Sequence, residues 1–258
     1  MKSLIPFWTL YLPLFSLAGI LSLYGLFYFW KKEQLAKLKI HPHPPKDHIM
    51  KKERRYTWYS LGVFALAGLG LDWFTAQAWT QVFTDWQAFP WWYHPVSLLL
   101  IFGLNDAYFY WVHRFLHWKP IFQRVHIWHH KFHHPTPFTA FAFHPIEAVL
   151  QIGFIPLVAL VLPIHSSLFL FFVSFLLLMS IYGHLGFELR ANKKGIARWF
   201  NTAIHHHQHH EFFHYNYGIY LNFWDKIMGT NHPTYPEAFW EFGEQVEKKA
   251  EKVDYSQK

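Results

Sequence analysis

The chain has 258 residues, of which 52% are hydrophobic, 22% aromatic and only 15% charged, against about 25% charged in ordinary soluble domains, so a membrane protein is expected. No cysteine is present, which excludes disulfides, thiolate haem, cysteine-held iron–sulfur clusters and cysteine-type zinc sites; any metal must be held by nitrogen and oxygen. The net charge is +7, but the basic residues gather beside apolar runs and read as topology signals, not as a nucleic-acid surface.

Leu4 to Trp30 is a long apolar, aromatic run that ends in "FYFWKKEQLAKLK". An aromatic belt followed by lysines is how a retained spanning helix ends. Residues 31–55 carry nine Lys/Arg and three acids. Tyr56 to Trp79 is a second apolar run, with Gly62, Ala65, Ala67, Gly68 and Gly70 suited to close helix packing. The loop 80–94 holds no Lys or Arg, and Pro95 to about Val112 is a third span. The positive-inside rule then places the N-terminus outside, 31–55 in the cytoplasm, 80–94 outside and His113 back at the cytoplasmic face. Residues 146–183 are two apolar segments around "LPIHSS", a full or shallow hairpin that returns the chain to the same side. Residues 184–258 are polar and end in an acid- and lysine-rich tail that is expected to fray.

The expected fold class is all-α: an integral membrane helical protein with four to five transmembrane or hairpin helices and a cytoplasmic, histidine-rich di-metal helical domain. Residues 1–112 would anchor, 113–240 would form the site-bearing domain with its hairpin at about 146–183, and 241–258 would be a polar tail. Every histidine cluster falls on one face, in an inner bacterial or endoplasmic-reticulum membrane.

The clusters carry the chemistry. His113 and His117 lie four apart on one helical face, with Asp106 on the same stripe as a candidate partner for a second ring nitrogen. His126, His129 and His130 form H-x-x-H-H. The tract "HHHQHH" at 205–210 repeats that spacing as His206, His209 and His210, while a shift of register would use His205 or His207 instead. His184 and Glu188 make another i, i+4 pair. This is too many imidazoles for one zinc, which takes four ligands at most in a structural site. Two ions would use them. Imidazole suits iron, copper and zinc, and neutral nitrogen ligands beside a membrane suit an iron pair that works with O2 on an unreactive C–H bond, with zinc as a substitute occupant. The chain has no dinucleotide, P-loop or iron–sulfur motif, and "HPHPP" at 41–45 lacks the glycines of a fused haem domain. An external electron donor follows, cytochrome b5 or ferredoxin with its reductase. A histidine-rich metal transporter or store is the competing class, but it would set histidines within the spans or in repeated loops.

"VHRFLH", "HHPTPFTAFAFHPIEAVLQ", "LPIH" and "NYGIYLNFWDKIMGT" stand around these clusters in order. With H-x3-H and two H-x2-H-H motifs, residues 100–232 resemble the sterol desaturase branch of the fatty acid hydroxylase superfamily, and the motifs are most similar to its sterol C5-desaturase (lathosterol oxidase) group. The resemblance implies a membrane-bound di-iron oxidoreductase that desaturates or hydroxylates a lipid: a sterol, or alternatively a fatty-acyl, ether-lipid, hopanoid or carotenoid substrate. It implies metal ligation by His113, His117, His126, His129, His130, His206, His209 and His210, with His184 matching a further family histidine. Where related hydroxylases place another histidine, this chain has Glu188. Asp106, Glu188, His205 and Asp225 are the candidates for supporting the ligands, Asp225 alternatively capping a helix, and His144 is the candidate for lining the substrate site.

Overall fold

A computed structural model describes residues 7–41, 45–189 and 195–255. Four helices are long and apolar enough to cross a membrane. The first is α1 (Phe7–Gly25), extended to Trp30 by a π-helical turn; after the short α2 (Lys32–Leu35) come α3 (Asp47–Ala76) and α4 (Tyr93–Leu116). Two short helices follow, α5 (Lys119–Ile121) and α6 (Ile127–His130). The apolar arm is α7 (Pro145–Ile152) and α8 (Phe154–Val161), and α9 (Ser166–Gly183) is the fourth span. Then come α10 (Ala203–Phe212), α11 (Phe223–Ile227) and α12 (Glu237–Tyr255). Large apolar side chains stand exposed along every span, among them Leu14, Leu66, Leu99 and Phe171, as lipid as solvent requires.

α1 and α3 run antiparallel in close contact. A Cβ on Gly68 would stand 2.3 Å from the Trp8 carbonyl oxygen, whereas Gly62 and Gly70 meet nothing. Of the small residues on this helix, Gly68 is thus the glycine on which the close approach depends. Beside it Asp72 accepts from the backbone N–H groups of Trp8 and Thr9 at 3.0 and 2.8 Å, satisfying donors that a helix start leaves free. α4 and α9 both begin at the opposite end from the histidine clusters, where His94 and His165 lie near each other, and finish at His113 and His184. At their starting end the strands β1 (Val82–Phe83) and β2 (Ile164–His165) pair in parallel.

The C-terminal segment departs from the sequence expectation. Its charges suggest a frayed tail, yet it belongs to the 19-residue α12. Phe239 and Val246 are buried on one face at i, i+7, so the helix docks its apolar stripe beside α10 with Tyr235 and Ile204 and leaves the charges in water.

Candidate metal centre

The sequence builds each half of the site on a short helix. His113 is on the last turn of α4 and His117 caps it. Residues Phe122–His126 form a π-helical turn that runs into α6, a local widening of the helix common at functional sites. Thr202 caps α10 by accepting from the N–H of His205 at 3.3 Å. Phe213, at φ 59°, ends that helix immediately after the triad, which turns the chain so that the Tyr215 carbonyl reaches back to His209.

Nine histidines converge in two groups. His113, His117, His126, His130 and His209 form one, and His129, His184, His206 and His210 the other; in each, one ligand atom per residue lies within 4.8 Å of all the rest. The H-x-x-H-H motif splits between them. In the second cluster His126 and His130 join the first group while His129 joins the second, and in the third cluster His209 joins the first while His206 and His210 join the second. Helical positions i and i+4 share a face and i+3 projects aside, so each motif straddles both sites. The groups are adjacent, with the rings of His130 and His210 centred 4.8 Å apart.

The ring nitrogens are sorted. Nδ1 of His113 lies 2.8 Å from the Tyr217 carbonyl, Nδ1 of His209 2.6 Å from that of Tyr215, and Nδ1 of His184 2.7 Å from that of Ser180. A carbonyl only accepts, so the ring proton is assigned to Nδ1 and the Nε2 lone pair faces inward. His126 makes the corresponding contact to Glu147 Oε1 at 2.7 Å. The inward nitrogens then crowd: His209–His117 3.2 Å, His209–His130 3.1 Å, His184–His129 3.1 Å and His184–His206 2.8 Å between Nε2 atoms. Facing lone pairs at these distances repel unless something positive lies among them. Nitrogens bound at right angles about a metal at about 2.1 Å would stand about 3.0 Å apart, close to the spacing seen. Burial pushes His117, His126, His129, His130, His206, His209 and His210 well below the usual imidazole range and His184 to about 4, which keeps the rings in the neutral form that a metal needs. The residues fit a pair of metal ions.

The remaining expectations divide. His205 is fully buried but belongs to neither group; its Nε2 lies 3.6 Å from Asp225 Oδ2. His207 faces outward to His41, 3.3 Å away. Asp225 accepts from the N–H groups of Tyr217 and Gly218, both at 2.8 Å, and so fixes the loop whose Tyr217 carbonyl holds His113; burial raises its carboxyl to about 6. Asp106 bonds no histidine: it accepts from the Leu221 N–H at 3.3 Å, because the stripe it shares with His113 brings it under this loop rather than against a ring. Glu188 is outside both groups and accepts from the Ile204 N–H at 3.2 Å and the Tyr182 hydroxyl at 2.8 Å, anchoring the first turn of α10. His144 does not line the site. It caps α7, accepting from the Ile146 N–H at 3.2 Å, and packs against Trp128; three residues on, Glu147 takes the inward place.

Glu147 is the residue that sequence reasoning passed over. It is 0% exposed, and its Oε2 has no hydrogen-bond partner among the described residues. The signal was there, since an acid inside an apolar membrane segment is a functional candidate by default.

Beside the histidines lies a largely apolar cavity, the concave kind of site in which small ligands bind. His113, His126, His129, His184 and His206 form part of its wall, with Phe109, Phe143 and Met179 among the apolar remainder.

These features define an integral membrane protein with a polyhistidine centre opening on an apolar cavity, and the chain belongs to the fatty acid hydroxylase family, whose family model matches residues 98–230. Among relatives, it is 32% identical over 212 residues to lathosterol oxidase of Mus musculus, covering 81% of this chain and 69% of that protein. It is 30% identical over 192 residues to lathosterol oxidase of Homo sapiens (74% and 63%), and 28% identical over 201 residues to a Delta(7)-sterol 5(6)-desaturase of Gibberella zeae (78% and 61%). The chain thus spans less than two thirds of the length of the latter two. By their names these relatives are oxidoreductases that act on sterols. No solved structure gives a significant match.

Proposed function

We propose that the chain is a membrane-bound oxidoreductase that uses two iron ions, O2 and electrons from an external carrier to desaturate a sterol. The observation that carries this reading is the set of nine inward-facing ring nitrogens in groups of five and four against an apolar cavity. The five histidines would hold one ion and the four the other, and the pair when bound supplies O2 activation against a C–H bond. The protein's own part is positioning. Tyr217, Tyr215, Ser180 and Glu147 hold the rings of His113, His209, His184 and His126 in one tautomer. The apolar cavity excludes water and keeps a hydrocarbon against the histidines. The sterol names of the relatives favour a sterol substrate, and the charge distribution of the loops favours a cytoplasmic site that receives electrons from a soluble or peripheral carrier.

The test is direct. Purified protein should carry about two irons per chain, and with a Δ7-sterol, O2 and reduced cytochrome b5 it should release a product lighter by a pair of hydrogens. A product heavier by one oxygen would make it a hydroxylase of the same centre. Protein that holds iron yet leaves every sterol offered unchanged would remove the sterol reading.

A further inference from the structure

The cavity wall carries three side-chain amides, Asn105, Gln151 and Asn201; Asn201 donates to the Leu221 carbonyl at 3.2 Å, and the other two have polar atoms free toward the cavity. Gln151 stands in the otherwise apolar stretch "VLQIGFIPLVALV", lines the cavity and makes no side-chain hydrogen bond among the described residues. Asn105, 2% exposed, lines the same cavity. Its Oδ1 accepts from the Tyr220 hydroxyl, which leaves the Nδ2 donors without a partner among the described residues. The Tyr108 hydroxyl donates to the Leu150 carbonyl at 2.7 Å, pinning α7 against α4 beside Gln151, and Asn105 is one turn of α4 from Tyr108. Around them the wall is apolar: Phe64, Phe141, Ile152, Leu176 and Leu177. An unpaired amide in such surroundings is costly, and polar groups inside membrane segments usually mark a ligand path.

We propose that Gln151 and Asn105 anchor the substrate through a single hydroxyl on an otherwise hydrocarbon molecule. This rests on reading the cavity as the substrate site. A hydroxyl is the small group that can donate to Gln151 Oε1 and accept from Asn105 Nδ2 at once. A carboxylate or phosphate is disfavoured, because no lysine or arginine is among the lining residues and a bare anion in an apolar cavity is expensive. Gln151 follows Glu147 by four residues, about 6 Å along the helix, and Glu147 touches His126. The hydroxyl would therefore lie near the oxidised carbons and not at the far end of the molecule. This describes a neutral, monohydroxylated lipid oxidised on the part that bears the hydroxyl, as in the ring system of a sterol.

The experiment measures equilibrium binding to the purified, iron-loaded protein without O2, so no turnover is needed. The probes are 5α-cholestan-3β-ol and 5α-cholestane, run beside hexadecanol, hexadecane and stearate. Wild type should bind the sterol alcohol about tenfold more tightly than the parent hydrocarbon. Gln151→Leu and Gln151→Met should bind the two equally, with iron content unchanged; among the described residues Gln151 makes no side-chain hydrogen bond that either variant would break. Equal binding of the two sterol probes by wild type, or a preference that survives both variants, would overturn the anchor. Stearate bound as tightly as hexadecanol would overturn the hydroxyl assignment. An amide-dependent preference shown only by the hexadecanol–hexadecane pair would keep the anchor and reject the sterol.

Discussion

Histidines crowd both ends of this helical bundle, and the two ends use them differently. At the far end His94 and His165 are buried within 6.2 Å of each other between rings, yet each directs Nε2 at a carbonyl: His94 at Trp86 and His165 at Thr84, both at 3.0 Å. His165 also caps α9 through Nδ1 and stacks on Trp86. Its nitrogens are spent on holding the β1–β2 corner together. At the other end the carbonyl contacts fall on Nδ1, and the Nε2 atoms are left to face one another. What distinguishes a metal centre from a structural histidine pair is which nitrogen is committed, not how many imidazoles are present.

The largest expected effect tests that distinction. His130→Ala and His210→Ala should each lower activity and iron content by more than the roughly 10–100-fold typical of losing a group that merely orients a ligand. His94→Ala and His165→Ala should leave iron per chain unchanged while lowering thermal stability. Elemental analysis of the four purified variants is the measurement, and iron lost from the His165 variant would break the contrast between the ends.

Next in size is Glu147→Gln. It keeps the shape but replaces the carboxylate that meets His126 with an amide, and a 10–100-fold fall in iron affinity or activity is expected. A variant indistinguishable from wild type in an iron titration would show that His126 needs no fixed partner.

A smaller and different effect is expected at the α1–α3 contact. Gly68→Ala puts a methyl 2.3 Å from the Trp8 carbonyl, so the helices must part, at a cost of about 1–3 kcal/mol. Thermal denaturation should show the loss, while iron per chain stays constant in the folded fraction. Gly70→Ala, which meets nothing, is the control.

The sequence made the spans legible because lipid demands long apolar runs, and it made eight of the clustered histidines legible because their spacing puts them on common helical faces; His184 came from the family pattern instead. It could not show that each H-x-x-H-H motif divides between two groups, since that depends on how three helices from distant parts of the chain meet. Nor could it show Tyr217 and Tyr215, whose contribution is a backbone carbonyl and leaves no mark in residue type. Asp106 illustrates the limit: its helical stripe is right for His113, but an intervening loop takes its carboxylate. α12 illustrates another, because its charges outnumber the few apolar positions that dock it.

The smallest expected effect, at His207, lies inside "HHHQHH" itself, where five imidazoles in six residues separate by helical direction alone. His206, His209 and His210 point into the two groups, while His205 and His207 do not. His207→Ala removes an outward contact to His41 and a 3.7 Å approach to Glu211; burial lowers this ring to about 4, so at neutral pH it forms no ion pair and loses no ligand, and iron content and turnover should stay within about twofold of wild type. His205→Ala is more costly. The ring fills a fully buried space against Tyr235 and faces the carboxylate that fixes the Tyr217 loop, so a cavity and a loosened loop follow, with a stability loss of about 2–4 kcal/mol. Iron in the folded fraction should nonetheless remain near two per chain, because no ligand is lost. A storage tract would behave otherwise, shedding metal in small, similar steps whichever histidine is removed. Iron analysis of the five single variants separates the two, and equal partial losses across all five would mean that the tract, and not the geometry, holds the metal.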